Sequence, residues 1–408
     1  MLSVSKNAVD KGLEISLLAL WFGLAVSSAI VEIATVIALI FFIFSLFHKS
    51  TGPFKIDFKQ WLPLAAYVLL CAASIIWSEY PKQSLRGSLK VLQQVFIFGA
   101  VIYCFRSKKQ LGRFEWLTLV YVGIVIFDSL FQYQFGKDLL RGHVLADASA
   151  GPRVTGPFKT YGMLASYLII LIPFVVLLGL RLRNFDKRWG IWYYCLAIIP
   201  FLIYILLLTR TRGAFLAFIG GLFIFLVYRK MWAGILLSVS AVALLVFILP
   251  RSMLVHLDAQ NKEQSITERY YLWERAIDVI KAKPWQGTGI NTYAAAHAKY
   301  DRRKSWRVKN YYAHNGYLQI AAETGVPSLM FFLLFIFSTI HRSFKKLSHL
   351  HTPGAWLAPA GALIGTINFL IMAACDTVLH SPLPASTFWY LLGILFAYLR
   401  LPETSADH

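Results

Sequence analysis

The amino-acid sequence predicts an all-α, polytopic integral membrane protein with about 12 transmembrane helices. Hydrophobic residues make up 58% of the 408 residues and charged residues only 15%, against roughly a quarter charged in soluble domains. Apolar runs recur along the chain at about 17–22 residues, the length that a helix needs to cross roughly 30 Å of hydrocarbon. These observations exclude a soluble globular enzyme, a disordered chain and a disulfide scaffold.

The predicted spans fall into two groups on either side of a long hydrophilic segment. Nine precede the segment, near 13–29, 31–47, 61–77, 88–105, 114–135, 161–180, 191–208, 213–228 and 232–249. Three follow it, near 326–340, 355–374 and 387–400. The predicted organisation is therefore a region with spans one to nine (1–249), an outer segment (250–325), and a region with spans ten to twelve and a tail (326–408). A tight turn at Ser27, Ser28 and Glu32 separates the first two spans.

The distribution of basic residues predicts that both termini are cytoplasmic. In this orientation the cytoplasmic segments hold 19 of the 40 Lys and Arg, the short outer loops hold nine, and the long outer segment holds twelve. Short loops obey the positive-inside rule, whereas long segments are nearly exempt from it. Insertion does not require the outer basic charge, which indicates an anionic partner such as a lipid headgroup, a pyrophosphate or an acidic glycan. The chain has no nucleic-acid-binding motif.

The first cluster that could carry chemistry lies in the tight outer turn 209–214, which contains Arg210 and Arg212. A guanidinium at this depth costs at least about 2.5 kcal/mol on insertion scales, so such residues usually face a polar cavity. Arginine is also the side chain best suited to bidentate phosphate binding. The alternative is that these side chains extend to lipid headgroups, as many arginines at helix ends do.

The long outer segment predicts an amphipathic helix over 266–280. Apolar residues recur at helical spacing, Thr267 could cap the helix, and Pro284 ends it. Tyrosine and tryptophan beside Arg269 and Arg275 are typical of a helix at a membrane surface over a cavity. The alternative is a helix that only packs as a lid.

The third cluster is the pair His314-Asn315, at the outer mouth of the predicted bundle. The unperturbed pKa of histidine, near 6.5, makes the neutral form available as a general base. Taken alone, a histidine in this position is more often an interfacial hydrogen-bonding residue than a base, and other outer histidines compete with it: His143, His256, His297 and His380. Asp376 ends span eleven, and Glu323 follows nine residues after His314. No close carboxylate pair or metal-ligand spacing is present, so a metal-dependent mechanism is poorly supported.

Together these clusters resemble the O-antigen ligase family of bacterial membrane glycosyltransferases, over most of the chain. The most specific element is His314-Asn315 followed after nine residues by Gly325, which matches the family's His-Asn-x9-Gly signature. The weaker elements are Thr209–Ala214, Arg269 with Trp273, Pro284 to Gly289, Trp77-Ser78 with Pro81, and Arg153 to Pro157.

The resemblance implies a GT-C-type helical transferase in the bacterial inner membrane, with its active site facing the periplasm. Members transfer a glycan from undecaprenyl pyrophosphate to a sugar of the lipid A-core without metal or nucleotide, so no cofactor is expected. His314 would be the base or the acceptor-orienting residue, and Asn315 and Asp376 are possible supporting residues. Arg210, Arg212 and Arg269 would hold the pyrophosphate, with Arg153 a further candidate. Membrane lipids are the other expected partners.

Two alternatives remain open from the sequence. A Wzy-type polymerase, or a ligase that transfers glycans to protein, would use the same donor and similar arginines. The His-Asn-x9-Gly element and the modest outer segment favour the lipid A-core ligase. A lipid-linked oligosaccharide flippase or anion transporter would need ionisable residues near the bilayer midplane, and Asp128 is almost the only candidate carboxylate there.

Overall fold

The computed structural model describes residues 6–47, 58–146, 151–236, 259–300, 312–350 and 352–401. Within these ranges the chain is helical, without a β-strand, and has two isolated antiparallel bridges, Lys137 with Val144 and Ala146 with Arg153. The first eight helices are α1 (Lys6–Val26), α2 (Ser28–Phe47), α3 (Phe58–Ala73), α4 (Pro81–Cys104), α5 (Lys108–Phe135), α6 (Tyr161–Asn184), α7 (Trp189–Leu208) and α8 (Arg212–Tyr228).

One long helix and three short elements follow, and then the last group of apolar helices. They are α9 (Ala259–Ala282), α10 (Tyr293–Ala296), a 3₁₀ turn (His297–Tyr300), α11 (Gly316–Thr324), α12 (Val326–Ser348), α13 (Leu357–Cys375) and α14 (Pro382–Arg400). We call residues 259–300 and 312–324 the arm, and the remaining helices the bundle.

Eight helices within the described ranges are long and apolar enough to cross a membrane: α2, α4, α5, α6, α7, α12, α13 and α14. Two shorter apolar helices, in Gln60–Ala73 and Arg212–Tyr228, correspond to predicted spans three and eight. The predicted first span corresponds to α1, which packs against α2 after the predicted turn. The predicted ninth span lies mostly outside the described residues. The polytopic, all-helical class is therefore confirmed, whereas the count of twelve and the GT-C architecture stay predictions.

The centre of the bundle is formed by α6, α13 and α14, which are almost wholly enclosed by the other helices. The backbones of α6 and α13 touch, because a side chain at Gly365 would lie only 2.3 Å from the Ile170 carbonyl oxygen. One turn on, the Asn368 amide donates a hydrogen bond of 2.8 Å to the Ile169 carbonyl. Small residues and interhelical hydrogen bonds are how helices associate in lipid, where hydrophobic burial supplies little driving force.

The ends of the bundle differ in their charges. At the upper end, α5, α7 and α13 terminate and α6, α8 and α14 begin. At the lower end, both nitrogens of the Arg181 fork reach the Glu115 carboxylate, at 2.8 and 2.6 Å, and Tyr398 donates to the same carboxylate at 2.5 Å. Arg113 pairs with Glu14 at 2.5 Å. The lower end therefore neutralises its buried charges internally.

The arm corrects one detail of the sequence analysis and adds another. Helix α9 begins at Ala259, so Thr267 lies inside the helix and does not cap it, whereas the predicted end before Pro284 is confirmed. Tyr270 and Ile277 are two of the apolar residues that recur at helical spacing over 266–280, and they are 61% and 40% exposed. The face that packs on the arm's own core instead contains Ala276 and Val279, because small side chains allow close approach to α11.

We expect Glu115→Ala to destabilise the bundle strongly. The substitution leaves the Arg181 guanidinium, whose side chain is only 17% exposed, without its two-pronged partner. Breaking a buried pair from one side costs about 3–5 kcal/mol, because an uncompensated charge remains. The measurement is the thermal unfolding midpoint in nanodiscs at one scan rate, with the exposed Arg188→Ala as control. Equal midpoints for the two variants would contradict this account.

Candidate active site

His314 and Asp376 meet at the upper end of the bundle. Nδ1 of His314 lies 3.3 Å from Oδ1 of Asp376, and the two side chains are 36% and 27% exposed. The two residues are 62 positions apart in the sequence. A histidine that donates its Nδ1–H to a carboxylate keeps the lone pair of Nε2 available as a proton acceptor. The pair therefore has the arrangement of a general base with an orienting carboxylate.

The backbone at both ends of this contact brings the two side chains together. Asp376 is the C-cap residue of α13, and its carbonyl accepts the Gly316 N–H at 3.2 Å. The Tyr317 hydroxyl donates to the Leu370 carbonyl at 2.7 Å, which ties α11 to α13 a second time. His314 itself adopts a left-handed conformation with φ of 47°. Non-glycine residues adopt this conformation rarely, and they do so mostly where the surroundings hold them.

Asn315 has a structural role in this geometry. It is the N-cap residue of α11, and its side-chain oxygen accepts the N–H groups of Tyr317 and Leu318 at 3.0 and 3.1 Å. An N-cap contributes about 1 kcal/mol to helix stability. The histidine-asparagine pair thus combines the candidate base with the cap that starts the helix behind it.

The Asp376 carboxylate is held in its charged form. Burial acts to raise its pKa, but the hydrogen bond and charge of His314, the Thr377 N–H and the charge of Arg269 outweigh burial, so the pKa lies below its ordinary value. The Thr377 N–H bond is 2.7 Å long. A carboxylate that stays ionised can accept the Nδ1–H of the neighbouring imidazole ring.

Arg269 and the start of α8 at Arg212 both lie beside Cys375. Arg269 Nη1 on α9 donates to the carbonyl of Cys375, the neighbour of Asp376, at 3.3 Å. Arg212 is the first residue of α8, and the following Gly213 packs against Cys375, since a side chain at 213 would lie 3.2 Å from the Cys375 Cβ. Both arginines are exposed. The N-terminus of α8, with its partial positive charge, lies at this position too.

Arg210 and Arg153 complete the basic surroundings. Arg210 has φ of 50°, its guanidinium lies against Gly151, and its Nη1 is buried without a hydrogen-bond partner within the described residues. Arg153 lies over the Tyr161 ring at 4.5 Å, and its Nε is likewise buried and unpartnered in the described part of the chain. Tyr161 starts α6 next to Gly162, where an added Cβ would lie 3.3 Å from Oδ2 of Asp376. The structure therefore brings the predicted site residues to one region.

The competing outer histidines have other surroundings. His143 lies 3.4 Å from Asp138, and His297 contacts the Tyr293 carbonyl at 2.9 Å. His380 stacks on Tyr312 at 4.7 Å, and burial, aided by the charge of Lys90, lowers its pKa to about 4. His256 lies outside the described residues. Of the described histidines, His314 has the carboxylate and the arginines around it.

The comparisons with known proteins agree with this geometry. Residues 197–333 match the model of the family described as O-Antigen ligase. About a third of the chain is therefore similar to the O-antigen ligase family. The match spans Arg210, Arg212, Arg269 and His314, whereas Arg153 and Asp376 lie outside it. No curated protein matches the chain. The predicted resemblance to the O-antigen ligase family is therefore confirmed.

The described residues contain no group of three or more His, Cys, Asp or Glu that could hold a metal ion. The four cysteines are free.

Glu323 is a residue near the candidate site to which the sequence pattern assigned no role. It lies at the end of α11, 3% exposed, and its carboxylate accepts the N–H groups of Asn291 and Tyr293 at 2.8 and 3.1 Å. The Gln319 amide donates a third bond at 3.2 Å. Burial outweighs these bonds and raises the pKa of Glu323 to about 7. Its position just before the Gly325 break was the one signal in the sequence.

We expect the raised pKa of Glu323 to make stability depend on pH. The carboxyl ionises near 4.5 in the unfolded chain but near 7 in the fold, so the folded state binds more protons between these values. Stability should therefore fall by up to about 3 kcal/mol as pH rises through this window and level off above it.

The measurement is the unfolding midpoint of wild type and Glu323→Gln from pH 4.5 to 8. The variant lacks the titrating group, so the difference between the two curves isolates its contribution. Parallel curves would show that Glu323 titrates at its ordinary pKa.

Proposed function

We propose that this protein is an O-antigen ligase that transfers O-antigen polysaccharide from undecaprenyl pyrophosphate to a sugar hydroxyl of the lipid A-core. The observation that carries the proposal is the His314–Asp376 contact of 3.3 Å among arginines from α8, α9 and the loop before α6. A glycosyl transfer from a pyrophosphate needs a base for the acceptor hydroxyl and cations for the leaving group. The candidate site offers His314 for the first role and the arginines for the second.

In the proposed reaction, Nε2 of His314 removes the proton of the acceptor hydroxyl as its oxygen attacks the anomeric carbon. The new glycosidic bond forms while the bond between that carbon and the pyrophosphate oxygen breaks. Direct displacement inverts the configuration at the carbon. The proton stays on His314 until it passes to water. Asp376 orients the ring and stabilises the imidazolium that forms, as the carboxylate of a catalytic triad does.

The pyrophosphate departs as an anion and needs no proton. Arg269 and Arg212 reach the neighbourhood of Cys375, whereas Arg210 and Arg153 carry the buried nitrogens without partners. These unpartnered nitrogens favour Arg210 and Arg153 as phosphate ligands beside the family's Arg212. Guanidinium groups bind phosphate through paired, charge-assisted hydrogen bonds, which strengthen where water is excluded.

The proposed setting is the bacterial inner membrane, with both termini cytoplasmic and the upper end of the bundle facing the periplasm. The distribution of Lys and Arg supports this orientation. The donor and acceptor are both lipid-linked, so they would reach the site from the membrane.

A transporter is less well supported than a transferase. Asp128, the main candidate for an ionisable group at the membrane midplane, accepts the N–H groups of Leu139 and Leu140 at 2.9 and 3.0 Å. It therefore anchors the loop after α5. A transport site would need ionisable groups that face a central cavity.

We expect His314→Ala to abolish ligation while membrane levels of the protein stay normal, because Asn315 still caps α11. The test is complementation of a ligase-deficient Gram-negative strain, with lipopolysaccharide read on a gel. The control is His349→Ala, an exposed histidine at the lower end. An O-antigen ladder with His314→Ala would exclude the base assignment. If deletion of the gene in the native host leaves lipopolysaccharide with a single O-antigen repeat on its core, the protein is a polymerase instead.

We also expect Arg269→Ala to weaken the binding of undecaprenyl pyrophosphate about 10- to 100-fold, as loss of a hydrogen bond to a charged group does. Arg229→Ala is the matched control, because Arg229 ends α8 at the lower end and stacks on Trp356 at 5.1 Å. Affinity is measured with the purified protein in nanodiscs. Equal losses in the two variants would exclude a local phosphate contact by Arg269.

A further inference from the structure

A short linker, residues 284–293, joins α9 to the rest of the arm and lies along the end of α11. Its backbone is bonded to that helix by Thr288 N–H to Ala322 O at 3.0 Å and by Gly289 N–H to Glu323 O at 2.8 Å. The approach is as close as two backbones allow. A Cβ at Gly287 would lie 2.4 Å from the Glu323 carbonyl group, and Gly287 has φ of 67°.

The other side of the linker contacts the bundle between α3 and α4. Trp77 Nε1 donates to the Gln286 carbonyl at 2.7 Å, and the Ile290 N–H donates to Ser74 Oγ at 3.0 Å. Lys283, which precedes the linker, pairs with Glu79 at 3.6 Å. The linker is therefore held between the bundle and α11.

The Glu323 side chain binds the linker beyond these backbone contacts. Its two oxygens accept the N–H groups of Asn291 and Tyr293, so one carboxylate holds both sides of residue 292. The bond from Tyr293 is buried with the carboxylate, and the bond from Asn291 is partly buried. Hydrogen bonds to a charged or strongly polar buried group contribute more than ordinary ones, and losing the acceptor leaves the donors unsatisfied.

Tyr293 transmits this contact to α9. Its side chain is fully buried, and its hydroxyl donates to the Leu272 carbonyl at 3.3 Å. Leu272 lies three residues after Arg269, which is nearly one helical turn. The path from the carboxylate to Arg269 therefore passes through one side chain and one turn of helix.

We propose that Glu323 is a positioning residue that sets the place of Arg269 relative to His314 by holding the linker and, through Tyr293, helix α9. The inference rests on the proposed function, because it assigns Arg269 to the donor pyrophosphate. His314 lies just before the first residue of α11, and Glu323 lies at the other end of this helix. One short helix therefore connects the proposed base to the residue that positions Arg269. In this role Glu323 acts through Arg269 and needs no contact with either substrate.

The test is a double-mutant cycle of Glu323→Ala and Arg269→Ala, with ligation measured in nanodiscs as kcat and donor KM. Glu323→Ala should lower kcat/KM about 10-fold, mostly by raising donor KM, because small misplacements cost this much or more. Arg269→Ala should lower it about 100-fold. The double variant should be no worse than Arg269→Ala, since residues that act through one another are not additive. A loss near 1,000-fold, the product of the two, would overturn the proposal.

Two further variants keep the test decisive if Glu323→Ala inserts poorly. Tyr293→Phe removes only the hydroxyl that contacts Leu272, and its smaller loss in kcat/KM should likewise vanish in the Arg269→Ala background. Glu323→Gln keeps one acceptor oxygen and should retain most activity. Glu274→Gln, an exposed carboxylate on α9, is the matched control and should leave kcat and KM unchanged.

Hydrogen–deuterium exchange separates failure of this inference from failure of the proposed function. Glu323→Ala should speed exchange in peptides that cover residues 284–293, whereas peptides from α6 and α13 should not change. Unchanged exchange in the linker would overturn the positioning role even if ligation is intact. A third outcome separates the two proposals. Faster exchange in the linker and non-additive effects on undecaprenyl pyrophosphate binding would support the positioning role. If wild type then transfers no glycan to lipid A-core, the ligase assignment is rejected while the positioning role stands.

Discussion

The cost of placing a charged side chain in hydrocarbon determines where chemistry can occur in this fold. That cost sends ionisable groups to the two ends of the bundle, and the two ends deal with them differently. At the lower end Arg181 and Arg113 each have a carboxylate partner within 2.6 Å. At the upper end Arg210 and Arg153 keep buried nitrogens without partners among the described residues. An arginine whose buried nitrogen lacks an internal partner is stabilised by an external anion, which is the property a phosphate site requires.

The candidate site exists only because the arm meets the bundle. His314 and Arg269 belong to the arm, whereas Asp376 and Arg212 belong to the bundle. The contact depends on the left-handed backbone at His314, which turns the side chain toward the end of α13 just before Asn315 starts α11. A regular helical conformation at 314 would extend α11 backwards and aim the imidazole elsewhere. The strained residue and the cap beside it therefore act as one unit.

Much of the bundle was predictable from the sequence, because apolar length and charge segregation are local signals. The turn between α1 and α2, the end of α9 before Pro284 and the cluster at Arg210 and Arg212 all follow from residues that are neighbours in the chain. The His314–Asp376 contact was not predictable, since it joins elements 62 residues apart. The face of α9 that packs on the arm's core was not predictable from apolar spacing, because the apolar Tyr270 and Ile277 are exposed and the small Ala276 makes the closer contact.

Glu323 shows why a residue's role can be invisible in a pattern. In the sequence it is a single carboxylate in a short apolar stretch. Such a pattern does not distinguish a carboxylate in water at a helix end from a buried carboxylate with hydrogen-bond partners. Its meaning comes from the linker that packs on it, and that packing requires Gly287 and Gly325, where any side chain would collide with backbone. The two glycines, the glutamate and the break before α12 are therefore parts of one joint. Because His314 lies at one end of α11 and this joint lies at the other, the helix sets the distance between the proposed base and the proposed anchor of Arg269.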